Sequence, residues 1–297
     1  MISVANEQSA VDLESFKSCV GRTIETRDVV TVSPLARMSA WLDRDDPEPK
    51  PGDPIPPGAH LLYFLSTTRQ SALGAAGGNP RDDLEPPIPL QRKVWAGCRM
   101  WFHQPIRVGE AIRRVGTVKT LTPKQGRSGP LVFTTFRDEI FGPNGLAMAE
   151  EMDIIFREDP KGEEAPPPAQ PRPGKAAWQR IVQADPPLLF RFSALTYNSH
   201  RIHYDYVYTT QVEKYPGLLI TGPLQALLLI DLARRNTASR PIAEFSCRAL
   251  RPIFEGGPVY VEGAPTPDGS GAELWTLDRS ETLGMTASIK FAQGMHT

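Results

Sequence analysis

The chain has 297 residues and 40% hydrophobic content, enough for one large domain or two ordinary ones with a proper core. Its 33 basic and 34 acidic side chains leave a formal net charge of -1, which excludes an overall electrostatic footprint for nucleic acid or an anionic membrane surface. Three cysteines, Cys19, Cys98 and Cys247, without paired spacing, argue against a zinc site and a disulfide framework and point to a reducing compartment.

The N-terminal stretch MISVANEQSAVDLESF lacks a basic start followed by an apolar run. The longest apolar stretch, around LQALLLIDLA, is far below the roughly 20 residues of a membrane span, so the expected location is cytoplasmic, with no membrane partner. In the first half, PLARMSAWLD (34–43) is a candidate helix. FLSTTRQSALGAAGGN (64–79) reads as a loop and not as a phosphate cradle, because its glycines are not followed by the lysine and serine or threonine of a P-loop. LVFTTFRDEIF and AMAEEMDIIF, with the turn signals GRSG and GPNG, predict long antiparallel strands in a meander.

Residues 158–187 are rich in proline and charge and read as a linker, dividing the chain into halves 1–157 and 188–297. The same design stands on both sides of it. HQPIRVGEAIRRVG (103–116) and LRPIFEGGPVYVEG (250–263) share a Pro-Ile pair and two glycines at a constant displacement, and RDEIFGPNGLAMAEEMDIIF is echoed by RSETLGMTASIKF. Two copies of one antiparallel sheet unit, placed side by side after a duplication, are implied, an α+β architecture.

In the second half, RFSALTYNSHRIHYD (191–205) starts like a buried strand and ends polar. PLQALLLIDLARRN (223–236) is the strongest helix pattern, with Pro223 suited to the first turn, Arg234 and Arg235 complementing the dipole, and leucines leaving little polar face. Such a helix is buried, and a sheet wrapped around it would bury it. PLARMSAWLD is its weaker match in the first half.

Chemistry concentrates just ahead of that helix. Pro223 has no N–H, so the Gly222 N–H is free to project, and the missing side chain lets a ligand come close. A thioester carbonyl turning into an enolate fits such a donor. His203 is the natural proton shuttle at neutral pH, and Asn198 can orient a water but cannot take its proton. Against this stands the plainer reading in which His200 and His203 only satisfy backbone groups in a polar loop.

NSHRIHYD followed by YPGLLITGPLQALLLIDLARR resembles the hydratase motif of the MaoC-like hotdog-fold enoyl-thioester hydratases and dehydratases. PPGAHLLYFL, RKVWAGCRMWFHQPIRVGE and RDEIFGPNG resemble their degenerate N-terminal hotdog domain, so the likeness covers most of the chain. The nearest subgroup comprises double-hotdog hydratases of 3-methylfumaryl-CoA (mesaconyl-CoA) and itaconyl-CoA, together with type 2 hydroxyacyl-thioester dehydratases. The resemblance implies a double hotdog, two antiparallel sheets each around a central helix, and a cofactor-free lyase with His203 and Gly222 in the family's catalytic positions. Asn198 stands where many relatives carry an aspartate, and Asp205 is the nearest carboxylate, a candidate orienter of an imidazole. Tyr197 and His200 are candidates to line the pocket, and Arg248, Arg251 and Arg99 to bind the phosphates of a CoA carrier. With no counterpart of the catalytic segment in the first half, one site per chain is expected, its acyl pocket shaped by that half. The expected partner is an acyl-CoA of the 3-methylfumaryl, itaconyl or citramalyl type. A 3-hydroxyacyl dehydratase of fatty-acid or polyketide metabolism, acting on CoA or carrier-protein thioesters, and a non-catalytic thioester-binding hotdog remain alternatives, and a homodimer is compatible with either.

Overall fold

The computed structural model describes residues 12–78, 84–126, 129–159, 167–237 and 240–292. The first half runs β1 (Thr23–Val29), α1 (Val32–Trp41), β2 (Arg92–Phe102), β3 (Ala111–Gly126), β4 (Gly129–Gly142) and β5 (Gly145–Arg157). The second runs β6 (Trp178–Ala184), α2 (Pro186–Leu195), α3 (Gly222–Asn236), β7 (Ile242–Ala249), β8 (Gly257–Pro265), β9 (Gly271–Leu277) and β10 (Leu283–Phe291). All ten strands form one sheet in the order β1-β3-β4-β5-β2-β7-β10-β9-β8-β6. Each half has the same internal order, reversed about the β2–β7 junction, as a duplicated unit predicts.

Side-chain alternation explains the strands. Along β4, Val132, Thr134, Phe136, Asp138 and Ile140 are buried while their neighbours are not, the period-two pattern of a sheet with one covered face. The meander expected from GRSG and GPNG is β3–β4–β5. At the junction Cys98 lies opposite Cys247, their sulfurs 3.5 Å apart, so two cysteines distant in sequence meet as free thiols where the halves join.

α3 is the helix expected from PLQALLLIDLARRN. Thr221 caps it by accepting from the Leu224 N–H at 3.0 Å, and every residue from Leu224 to Ala233 is buried. One charge lies in that stretch. Asp231, 1% exposed, accepts from Arg44 at 2.9 Å, Arg180 at 2.9 Å and Arg235 at 2.7 Å. These arginines come from the segment after α1, from β6 and from α3 itself, so one carboxylate joins three parts of the chain.

Three local expectations are corrected. First, α1 is not the counterpart of α3: it follows β1 as α2 follows β6, and the two pack together with the Trp41 and Phe192 rings 5.1 Å apart. Between α1 and β2 the described residues form no α-helix but short 3-10 turns such as Ala59–Leu62 and Gln70–Ala72, where prolines such as Pro47, Pro49, Pro51, Pro54, Pro56 and Pro57 remove the N–H groups a helix needs. Second, the segment read as linker to residue 187 contains β6, which pairs with β8 from Trp178 to Ala184. Third, the start of 191–205 is helical and not a strand. Asp185 accepts from the Leu188 N–H at 2.9 Å and two prolines open the first turn of α2, whose apolar residues are spaced for a helix face.

Asp231→Ala removes a buried countercharge shared by three arginines. It is expected to lower unfolding free energy by about 3–5 kcal/mol, measured by urea denaturation, whereas Asp45→Ala at an exposed position is expected to change it little.

Candidate active site

α2 ends at Thr196, and Tyr197 takes a left-handed conformation with φ 51° that turns the chain out of the helix. The Asn198 N–H donates to the Ser193 carbonyl at 2.8 Å, and the Asn198 side-chain oxygen accepts from the His200 N–H at 3.1 Å, an Asx turn. That use of Oδ1 leaves the Nδ2 amide group as the part of Asn198 available to a ligand. The 3-10 turn Arg201–His203 follows, and the Ile202 carbonyl accepts from the Leu219 N–H at 2.9 Å.

His203 is 7% exposed, and its Nδ1 lies 2.7 Å from the Leu219 carbonyl. A carbonyl only accepts, so Nδ1 carries the hydrogen and the neutral ring keeps its lone pair on Nε2. Burial pushes the His203 pKa down to about 4, against the opposing pull of the Leu219 bond and with His200 adding to the depression. The His200 ring meets His203 edge-on at 5.5 Å, and its own pKa is pushed down to about 4 by burial and then by Lys93. Two neutral imidazoles therefore stand together at neutral pH.

Leu219, which holds His203, leads directly through Thr221 to Gly222, the first residue of α3. Among the described residues the Gly222 N–H has no hydrogen-bond partner, as expected at a helix start. A Cβ on Gly222 would lie 2.1 Å from Cε3 of Trp95, so the glycine is required by the indole seated against it. Trp95 reaches that position because the β2–β5 register shifts between Trp95 and Gly97, a bulge that turns the indole onto the face shared by Cys98 and Met100. Beyond it an apolar pocket runs along α3, lined by Pro223, Ala226, Leu227 and Ile230 on one side and by first-half residues including Gly58, Met100 and Glu150 on the other.

The profile of the hydroxyacyl-thioester dehydratase type 2 family matches residues 58–255. A mesaconyl-C(4)-CoA hydratase of Chloroflexus aurantiacus is 41% identical over 270 residues, 91% of this chain and 96% of that protein. The mitochondrial hydroxyacyl-thioester dehydratase type 2 of Schizosaccharomyces pombe is 24% identical over 253 residues, 77% of this chain and 82% of that protein. A Mycobacterium tuberculosis protein described as having a double hotdog fold superposes with a TM-score of 0.57 at 15% identity, over 93% of this chain and 96% of that one. The chain belongs to the hydroxyacyl-thioester dehydratase type 2 family. It is an enzyme of the hydro-lyase class with the double-hotdog fold, as the motifs led one to expect.

Within this family frame some expected residues fall elsewhere. Asp205 does not touch His203: it accepts from the Tyr208 N–H at 3.0 Å and from Arg201 at 2.8 Å, which hold its carboxyl below the usual range. Tyr197 is 55% exposed. Arg99 is turned to the other face of β2, paired with Glu151 and Asp153. Arg251 lies 3.5 Å from the Pro167 carbonyl, while Arg248 is exposed and, among the described residues, unpaired.

Sequence reasoning missed Trp95 and the glycine-rich loop. Ser199 donates to the Gly77 carbonyl at 2.5 Å and the Arg201 N–H to the Ala76 carbonyl at 2.9 Å, so that loop props the candidate catalytic segment. At Gly77, φ is 71° and a Cβ would meet the Ser199 oxygen at 2.4 Å, so the cluster AAGG marks a close backbone approach.

Both imidazoles are depressed relative to the unfolded chain, so the stability they leave intact at neutral pH is lost as pH falls from about 6.5 toward 4. The urea midpoint is expected to fall between pH 7.5 and 4.5, and to fall less in the His200→Gln/His203→Gln double variant.

Proposed function

We propose that this protein reversibly adds water across the α,β double bond of a short, branched dicarboxylic acyl-CoA of the 3-methylfumaryl type, ahead of an itaconyl isomer, with a citramalyl thioester as the hydrated product. What carries the mechanism is the His203 Nδ1 bond to the Leu219 carbonyl, which leaves a basic Nε2 on a neutral, buried ring. The acyl assignment is supported by 41% identity to the mesaconyl-C(4)-CoA hydratase along nearly the whole chain.

In the hydration direction, Nε2 of His203 takes a proton from water while the Asn198 amide donates to the water oxygen and holds it. The oxygen bonds to the β carbon, the double-bond pair shifts toward the thioester, and the enolate oxygen is stabilised by the Gly222 N–H and the positive end of α3. The imidazolium then returns its proton to the α carbon, closing the balance with no cofactor in the sequence of steps. Asn198 has no proton to exchange, so one imidazole serves as base and then as acid.

A second reading, dehydration of a fatty 3-hydroxyacyl thioester on CoA or a carrier protein, draws on the family description and the apolar walls of the pocket. The decisive assay follows loss of the enoyl-thioester absorbance with mesaconyl-C(4)-CoA, itaconyl-CoA, crotonyl-CoA and a longer enoyl-CoA. Fastest turnover of mesaconyl-C(4)-CoA supports the proposal, and preference for the longest chain moves the assignment to the fatty-acyl reading. His203→Ala is expected to lower kcat by roughly 100-fold or more, and thioester binding with no turnover sensitive to that change would leave a binding protein. With His203 titrating near 4, kcat/KM for hydration is expected to stay flat from pH 8 to about 5.5 and to decline below as Nε2 becomes protonated.

A further inference from the structure

Two of the three cysteines meet where the halves join. Cys98 on β2 and Cys247 on β7 are 149 positions apart in the chain, yet they are register partners across the junction and their sulfurs stand 3.5 Å apart. Each is followed by arginine, Cys98-Arg99 and Cys247-Arg248, so the two strands present the same dipeptide at the seam of a duplicated fold. Gly97 makes room for β7 here: a Cβ on it would lie 2.3 Å from the Cys247 carbonyl oxygen.

Directly opposed residues of an antiparallel pair have Cα atoms about 4.5–5.5 Å apart, inside the roughly 4.4–6.8 Å that a disulfide spans. Joining the sulfurs therefore asks for a side-chain movement of about 1.5 Å rather than a rearrangement of the strands. The two thiols are not equivalent. Cys98 is 1% exposed and lines the pocket beside α3, while Cys247 is only half-buried. The bond to Cys247, and then burial, push the Cys98 thiol up, so Cys98 keeps its hydrogen and donates it to the Cys247 sulfur. Cys247 is the sulfur placed to react first, and Cys98 the one placed to resolve.

We propose that Cys98 and Cys247 form a redox modification site, closed by a hydroperoxide into a disulfide that clamps the two halves together. With hydrogen peroxide, the Cys247 thiolate attacks one oxygen, the O–O bond breaks, and hydroxide leaves and recovers the proton that Cys247 gave up. A sulfenic acid remains on Cys247. The Cys98 sulfur then attacks the Cys247 sulfur, the S–O bond breaks, and the departing hydroxyl leaves as water with the Cys98 proton. Two thiols are oxidised, one peroxide is reduced to two waters, and a dithiol reopens the bridge by exchange.

The experiment treats the folded full chain with hydrogen peroxide, blocks the remaining thiols, and maps a non-reduced digest by mass spectrometry. Of the three thiols only Cys19 is expected to remain free, with the peptides holding Cys98 and Cys247 joined, and dithiothreitol is expected to restore all of them. In Cys98→Ser a sulfenic acid is expected to persist on Cys247 and to take a dimedone label, whereas Cys247→Ser leaves Cys98 unlabelled and Cys19→Ser forms the bridge as wild type does. Because the bridge closes a long stretch of chain, the urea midpoint of oxidised wild type is expected to rise above that of the reduced protein, and not to rise in Cys98→Ser or Cys247→Ser. Survival of every thiol, oxygen added to a cysteine without a bridge, or a bridge between two chains overturns the site, and wild type alone decides this even where a variant fails to fold. A bridge that leaves the midpoint unchanged or lower overturns the clamp, and a dimedone label on Cys98 overturns the order of attack. None of these readouts uses a thioester, so they stand apart from the proposed function.

Discussion

A helix with no wet face must be covered on every side, and the molecule is arranged around that demand. Ten consecutive buried positions in α3 run from Leu224 to Ala233, and burying a leucine-sized side chain is worth about 1.5–3 kcal/mol. The sheet of the second half covers part of α3 through β6, β8 and β9. The rest is closed by the first half, with Gly58 against Leu227 and Trp95 against Gly222. The one charge admitted to that buried stretch, Asp231, is bearable because three arginines converge on it. Separating the halves would therefore expose apolar helix and take Arg44 from Asp231, leaving it Arg180 and Arg235 of its own half, which explains why a sheet continuous across β2 and β7 and a helix shared between halves occur together.

The geometry of the candidate site follows from the same burial. A helix start is a useful oxyanion donor only where water does not compete for it, and the indole of Trp95 packs against that end of α3. Leu219, three residues earlier in the chain, fixes the imidazole by accepting from it. The proposed acid–base group and the proposed donor are thus held by one short segment, 219–222, that leads into α3. The loop from the first half then presses on Ser199 and Arg201 from the opposite side. An arrangement fixed from two directions keeps its geometry without a carboxylate beside His203.

Much of this was legible in the residues. α3 and the meander were readable because their signals are local: a leucine run bounded by Pro223 and the double arginine, and period-two strands separated by glycine turns. The pairing of the halves was readable from the repeated Pro-Ile and glycine positions. His203 and Gly222 stood out through their closeness in sequence to that helix. What remained hidden was set by contacts between distant segments. Nothing local announces that Trp95 reaches Gly222, since a one-residue bulge decides which face the indole takes. Cys98 and Cys247 lie on separate strands, and each alone reads as an isolated cysteine. The strand expected at 191 failed for a different reason: LLFRFSAL fits either period, and the cap at Asp185 with two prolines settles it as helix. Asp205 lay close to His203 in number only, because the chain leaves the 3-10 turn Arg201–His203 through Tyr204 without extending, and the carboxylate pairs with Arg201.

The duplication also explains why the two halves differ. In the first half the described chain between α1 and β2 holds only short turns, rich in proline, and the face of β2 and β5 that such a helix would cover instead lines a pocket against α3. The absent helix and the pocket are then one feature. The second half keeps the dipole, the imidazole and the backbone donor, which depend on an intact helix start. The first contributes pocket walls and the loop that braces the candidate catalytic segment.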